Sequence, residues 1–254
     1  MANTSVSYGL GLLVALLPLT GVACGGVPGP VGDPTTIVTK APDTTLAAGS
    51  AQIEVDGPAA LTIGVVDLAS GDADYTVTIA PGYDTSQQSG RLRTLGGTVY
   101  LQPATDPDPK KGAAPPAWQR RPAGTLPGLA STSMRFGDPI AAIDLLRGTQ
   151  HILSDGGGEV RGVSTSRYSL QIDPTQAIEA TPPARQPALK ALLGGRTDFF
   201  TVDVWIDGKD RVRRVQVPTD LTHHTPATRS DFLPIADTVD FVTFGPPVTE
   251  TAPI

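Results

Sequence analysis

The stretch from Phe199 to Val217, FFTVDVWID-GKD-RVRRVQV, leaves little freedom in how it folds. Successive side chains of an extended chain point to opposite faces. Val202, Val204 and Ile206 therefore share one face, while Asp203, Trp205 and Asp207 share the other. Gly208-Lys209-Asp210 is turn chemistry and reverses the chain. In the return arm Val215 and Val217 fall with Arg213, and Val212, Arg214 and Gln216 fall opposite. A hairpin with one apolar and one charged face belongs to an antiparallel sheet covered on one side only.

The same two-residue alternation recurs along the chain. Gln52 to Val55, Leu61 to Leu68, Asp74 to Ile79, two short runs within Leu92–Gln102, Glu159 to Ile172 and Thr238 to Phe244 all read as strands. With 28 glycines and 25 prolines in 254 residues, the composition favours turns and short strands over long helices. Two segments break the alternation. Asp138-Pro139 sets an N-cap and a first-turn proline before Ile140, Ile143 and Leu146, with Gly148 as the stop. Asp173-Pro174 opens a second helical region, interrupted by Pro182-Pro183 and resumed over Ala184 to Leu193, with Ala188, Leu189, Leu192 and Leu193 on one stripe. Nine or ten strands and two short helices, joined mostly by tight turns, give an α+β fold with an antiparallel sheet.

Leu10 to Thr20 is an uninterrupted apolar run of signal-peptide length, too short and too proline-broken at Pro18 for a permanent membrane span. Gly21, Val22 and Ala23 follow, then Cys24, the single cysteine of the chain. Those residues resemble a bacterial lipobox, in which the cysteine sulfur takes a diacylglyceryl group and becomes the first mature residue. Two or three acyl chains at ~0.8 kcal/mol per buried CH2 make a stable anchor. Residues 25 to about 45, rich in Gly, Pro, Thr and Asp, carry no periodicity and read as a flexible spacer. The organisation expected is a signal peptide over 1–23, a tether over 24–45, one domain over 46–248 and a disordered tail over 249–254.

Catalytic patterns are missing. There is no Gly-x-Ser-x-Gly elbow, no phosphate-binding loop and no His-Glu-x-x-His pair. Gly156-Gly157-Gly158 reads as a plain turn, and His223-His224, pointing opposite ways on an extended chain, as a solvated loop. Asp203 and Asp207 share a face but lie roughly 13 Å apart along a strand. Ion pairs with Arg211, Arg213 and Arg214 across the hairpin explain them more simply than catalysis does. The chain is read as a non-enzyme without cofactor or metal. A net charge of −6 is the wrong sign for nucleic acid.

Taken together, the lipobox cysteine, the spacer, TLAAGSAQIEV, GVVDL (Gly64 to Leu68), GGTVYLQ, a loop holding AWQR, DPIAAIDLLRG, VRGVSTSRYSLQID and VDVWIDGKDRVRRVQV resemble the actinobacterial lipoproteins of the LppX/LprA/LprF/LprG type. Their fold is similar to that of the lipoprotein carrier LolA. The resemblance runs from about Thr45 to Val217, and more loosely to Phe244. It implies a strongly curved antiparallel half-barrel with short helices on its concave side. It also implies an apolar cavity between the two that holds acyl chains of a lipid or lipoglycan. Ile140, Ile143, Leu146, Leu170, Leu189, Leu192, Leu193, Val204 and Ile206 are the expected lining. The expected protein is a monomer, anchored through Cys24 at the outer face of the cytoplasmic membrane, that binds or carries lipid. The other reading is a non-enzymatic envelope interaction or sensor lipoprotein with a filled core, with the loop Pro103–Arg121 as its contact surface.

Overall fold

The computed structural model describes residues 32–57, 60–79, 89–104, 117–121, 138–218 and 236–245. The chain enters through helix α1 (Pro34–Leu46) and continues as strands β1 (Ser50–Asp56), β2 (Ala60–Asp67), β3 (Ala73–Ile79), β4 (Gly90–Leu95), β5 (Thr98–Pro103) and β6 (Gln119–Arg121). Helix α2 (Pro139–Leu145) runs into a 3-10 turn, Leu146–Gly148, before β7 (Thr149–Val160) and β8 (Val163–Ile172). Helices α3 (Pro174–Ala180) and α4 (Gln186–Leu193) precede β9 (Phe200–Asp207), β10 (Val212–Pro218) and β11 (Ala236–Phe244).

All eleven strands form one sheet in the order β6-β5-β4-β3-β2-β1-β11-β10-β9-β8-β7. Every pairing is antiparallel. Six strands run outward from β1 as a meander, and five return toward it. The seam is β1 against β11, with Ile53 opposite Phe241 and Val55 opposite Val239. Since β6 and β7 are both edges, the sheet is open. α1 touches both β7 and β10, and α2 touches β10, so the helices sit on one face and the sheet curves around them. The α+β half-barrel with helices on its concave side is therefore the observed fold.

The concave face follows from the alternation. Ala51, Ile53 and Val55 of β1 continue through Tyr75 and Val77 of β3, Val202, Val204 and Ile206 of β9, and Val239 and Phe241 of β11, all buried in one cluster. Gly64 belongs to this face, opposite Tyr75. A Cβ there would lie 2.1 Å from the Asp74 carbonyl oxygen and 2.7 Å from the Tyr75 ring, so only glycine lets β2 and β3 approach as they do.

Four features depart from the sequence expectation. First, helix α1 lies inside the stretch read as spacer. The sequence PTTIVTKAPDTTL is β-branched and proline-interrupted, which is poor helix chemistry with little visible stripe. The helix stands because Asp33 Oδ2 accepts from the Thr36 backbone N–H and hydroxyl, both at 2.9 Å, and because Ile37, Val38 and Ala41 enter the core. Second, Asp173 caps a separate helix, so the helices number four, with eleven strands among the described residues.

Third, Gly156, Gly157 and Gly158 are not a turn but the middle of β7, paired with Arg167, Ser166 and Thr165. The turn lies beyond them at Arg161-Gly162, whose φ values of 51° and 78° are those of a tight hairpin reversal. A Cβ on Gly158 would lie 3.1 Å from Trp205 Nε1, so glycine makes room for the indole. Fourth, the register slips between Val212 and Arg214. That bulge turns Val212 inward, opposite Ile206, and swings Arg213 to Asp207 on the far side. The Val212 N–H donates to Thr45 Oγ1 at 2.8 Å, which ties the bulge to α1.

Candidate functional site

The nine residues expected to line a cavity come from four elements and the 3-10 turn, and the fold brings them together. Ile140 and Ile143 come from α2, Leu146 from the turn, Leu189, Leu192 and Leu193 from α4, Leu170 from β8, and Val204 and Ile206 from β9. None is more than 7% exposed, and all belong to one apolar cluster. Every residue of α2 is buried. A helix apolar on all sides needs cover on all sides. α2 finds it among α1, α3, α4 and β10, which makes it the keystone of the helix layer.

Asp138 starts α2, with Oδ1 accepting from the Ile140 N–H at 2.9 Å and the Ala141 N–H at 3.2 Å. Burial pushes the Asp138 carboxyl up despite those two bonds. Burial likewise raises the Tyr75 phenol on β3, with the Asp138 charge adding to it.

Asp144 lies on the apolar helix itself and is fully buried. Its Oδ1 accepts from Arg147 Nε at 2.9 Å and Arg185 Nη2 at 3.1 Å, and its Oδ2 lies 2.9 Å from Arg185 Nε. Arg147 reaches on to Asp43 of α1 at 2.5 Å. The chain Asp43–Arg147–Asp144–Arg185 thus links α1, α2 and the entry to α4. A buried charge is tolerated when paired and hydrogen-bonded.

A second buried carboxylate sits on the sheet. Asp237 faces Val217 across the β10–β11 ladder and is in phase with Val239 and Phe241, which places it on the concave face. It is 1% exposed, and neither Oδ1 nor Oδ2 has a hydrogen-bond partner. Burial, with a smaller contribution from the Asp56 charge, pushes its pKa up to about 7.

No protein-family model and no curated protein sequence matches the chain. Among solved structures it is similar to the Mycobacterium tuberculosis lipoprotein LppX, with a TM-score of 0.51 and 14% identity over 85% of this chain and 99% of that one. It is similar also to LprF from Mycobacterium bovis, with a TM-score of 0.52 and 14% identity over 89% of this chain and 99% of the other. The fold is that of LppX and LprF. At 14% identity the likeness is one of architecture, and it spans nearly the whole of both neighbours.

The convex face is a charge lattice rather than a site. Asp203 and Asp207 are ion-paired as expected, with one exchange of partners. Asp207 takes Arg211 at 2.8 Å and Arg213 at 2.8 Å, while Asp203 takes Arg167 of β8 at 2.6 Å. Burial alone would push Asp207 up, but the arginines and the Lys209 and Arg211 N–H groups hold it below the usual range. Arg214 goes instead to Asp240 at 2.6 Å, and Arg161 bridges Asp240 and Glu54. The guanidiniums of Arg167 and Arg214 lie 5.2 and 5.6 Å from the Trp205 ring centre.

Among the described residues no three His, Cys, Asp or Glu side chains group as a metal site. Cys24, His223, His224 and residues 105–116 of the loop Pro103–Arg121 lie outside the described residues. At the end of that loop Trp118 sits 5.0 Å from the Arg93 guanidinium. Sequence reasoning missed Asp144 and Asp237. Both had a signal: a carboxylate at an apolar helix position in DPIAAIDLL, and one in phase with Val239 and Phe241 in ADTVDFVTF.

Proposed function

We propose that the chain is an extracytoplasmic lipoprotein, anchored through Cys24, that holds an acyl chain of a lipid or lipoglycan between the concave sheet and the helix layer. The observation that carries this reading is the construction of that interface: an apolar wall drawn from most strands, roofed by four short helices on an open sheet. Short helices on an open, curved sheet can shift outward without breaking the ladder, which is what a chain-length apolar ligand requires. The shared fold with LppX and LprF and the lipobox-like run before Cys24 support it. Ile140, Ile143, Leu146, Leu170, Leu189, Leu192, Leu193, Val204 and Ile206 are the proposed contacts, acting by apolar burial alone. No catalytic step is assigned.

Native mass spectrometry of the protein purified from its own host tests this. The expected result is a mass increment of one lipid, removed by organic extraction and restored by added phospholipid. A protein that emerges lipid-free and takes up none would end the reading. The anchor is tested separately: Cys24→Ala is expected to move the protein from the membrane fraction to the soluble one with its circular dichroism unchanged. Full membrane retention would count against the anchor.

A second reading, an envelope interaction module with a filled core, is favoured by one observation, the near-complete burial of all nine residues in a single cluster. Under it, replacing loop Pro103–Arg121 by a short turn abolishes partner capture. Under the lipid reading the same replacement leaves lipid uptake intact.

A further inference from the structure

Asp237 is out of keeping with the wall it belongs to. It stands opposite Val217 and in line with Val239 and Phe241, in a face otherwise built for apolar contact. Almost no surface of it reaches solvent, and both carboxyl oxygens lack a partner. Leaving such a group unpaired in an apolar setting is costly, and natural folds rarely tolerate it without a use.

We propose that Asp237 is the polar anchor of the concave face, and that the ligand it fits is an uncharged lipid carrying a free hydroxyl near its polar end. The proposal rests on the lipid-binding reading above and adds the chemistry of the head group. A carboxyl group in its acid form donates through its O–H and accepts through its carbonyl, and a hydroxyl does both in return. Burial and the Asp56 carboxylate keep that acid form populated up to about pH 7. An anionic phosphate head group fits poorly. It would sit against the Asp237 carboxyl, which already feels the charge of Asp56. A fully esterified lipid offers acceptors only, which leaves the carboxyl's own acceptor unpaired.

The test titrates the full chain with dioleoylglycerol, trioleoylglycerol and dioleoylphosphatidylglycerol at pH 6, reading bound lipid by native mass spectrometry. Dioleoylglycerol is expected to bind roughly tenfold more tightly than trioleoylglycerol, the worth of one or two buried hydrogen bonds. Asp237→Leu is expected to bring the two within about twofold, by weakening dioleoylglycerol alone. Asp237→Asn, which keeps a donor and an acceptor, is expected to retain most of the preference. Equal binding of the two neutral lipids by the wild-type chain, or a preference that survives Asp237→Leu, overturns the anchor and leaves the lipid reading standing. Tightest binding of the phosphatidylglycerol overturns the head-group assignment in the same way. Failure of all three lipids to bind overturns the lipid reading and the anchor with it.

Discussion

Asp144→Ala is expected to destabilise the fold by about 3–5 kcal/mol, the loss seen when one partner of a buried ion pair is removed and the other left behind. Here two partners are left. Arg147 and Arg185 would keep their charges between α1, α2 and α4 with no buried counter-charge, since Asp144 is the fully buried member of the network. Asp43, at the outer end, has a side chain 75% exposed. Its replacement by alanine removes a solvent-screened contact and is expected to shift stability by no more than about 1 kcal/mol. Urea unfolding of both variants beside the wild type measures the contrast. For a domain of this size the Asp144 variant is expected to melt about 6–20 °C lower. If both variants unfold at the same urea concentration, the network does not hold the helix layer.

What the sequence made legible divides along a physical line. Strands that are wet on one face write their register into the chain, because each one-residue step changes face. The β9–β10 hairpin, the strands β1 to β5 and the final β11 were readable for that reason. The capped helices α2 and α3 were readable because Asp-Pro both fixes the first turn and offers the cap. What stayed hidden was structure specified by distant partners. α1 has weak intrinsic helix chemistry, and its order comes from Ile37, Val38 and Ala41 packing into the core and from Thr45 meeting the Val212 bulge. No local pattern announces that. The glycine run of β7 imitates a turn, while its real role depends on Trp205 lying against it from two strands away.

The candidate site shows the same division. The burial of the nine apolar residues was legible because a residue on the inner stripe of a helix or strand faces the core. The polar members were harder. Asp144 finds Arg185 forty-one residues later, across a helix break that gives no sign of the meeting. Asp237 sits in phase with buried residues, but periodicity alone does not distinguish an anchoring carboxylate from a tolerated one. Its lack of any partner becomes visible only when the strands on either side are in place.

The second large effect is one of pH, and Asp237 sets its sign. In the folded chain burial holds the Asp237 pKa up to about 7, against an ordinary value of 3.8. Between those values the folded state keeps a proton that the unfolded state has released, so unfolding is favoured as pH rises. The contribution is fully present below the unfolded value, declines through the interval and is gone above the folded one. At 1.36 kcal/mol per pKa unit, its total is on the order of 4 kcal/mol. Asp237→Asn keeps the shape without the titration. Relative to the wild type it is therefore expected to gain stability steadily from pH 4.5 to pH 8, with most of the gain complete by pH 7.5. Carboxylates held low, such as Asp207 between Arg211 and Arg213, push the other way, but they are common to both proteins and cancel in the difference. Urea unfolding at four pH values measures the two curves. Curves that stay parallel would show that Asp237 carries an ordinary charge, and a carboxylate ionised at pH 6 on that wall could not serve as a hydroxyl-binding acid. Curves that diverge toward high pH would tie the pH limit of the fold to the group proposed to receive the ligand, so that a hydroxyl-bearing lipid, which needs the acid form of Asp237, would stabilise the protein at low pH and progressively less above about pH 7.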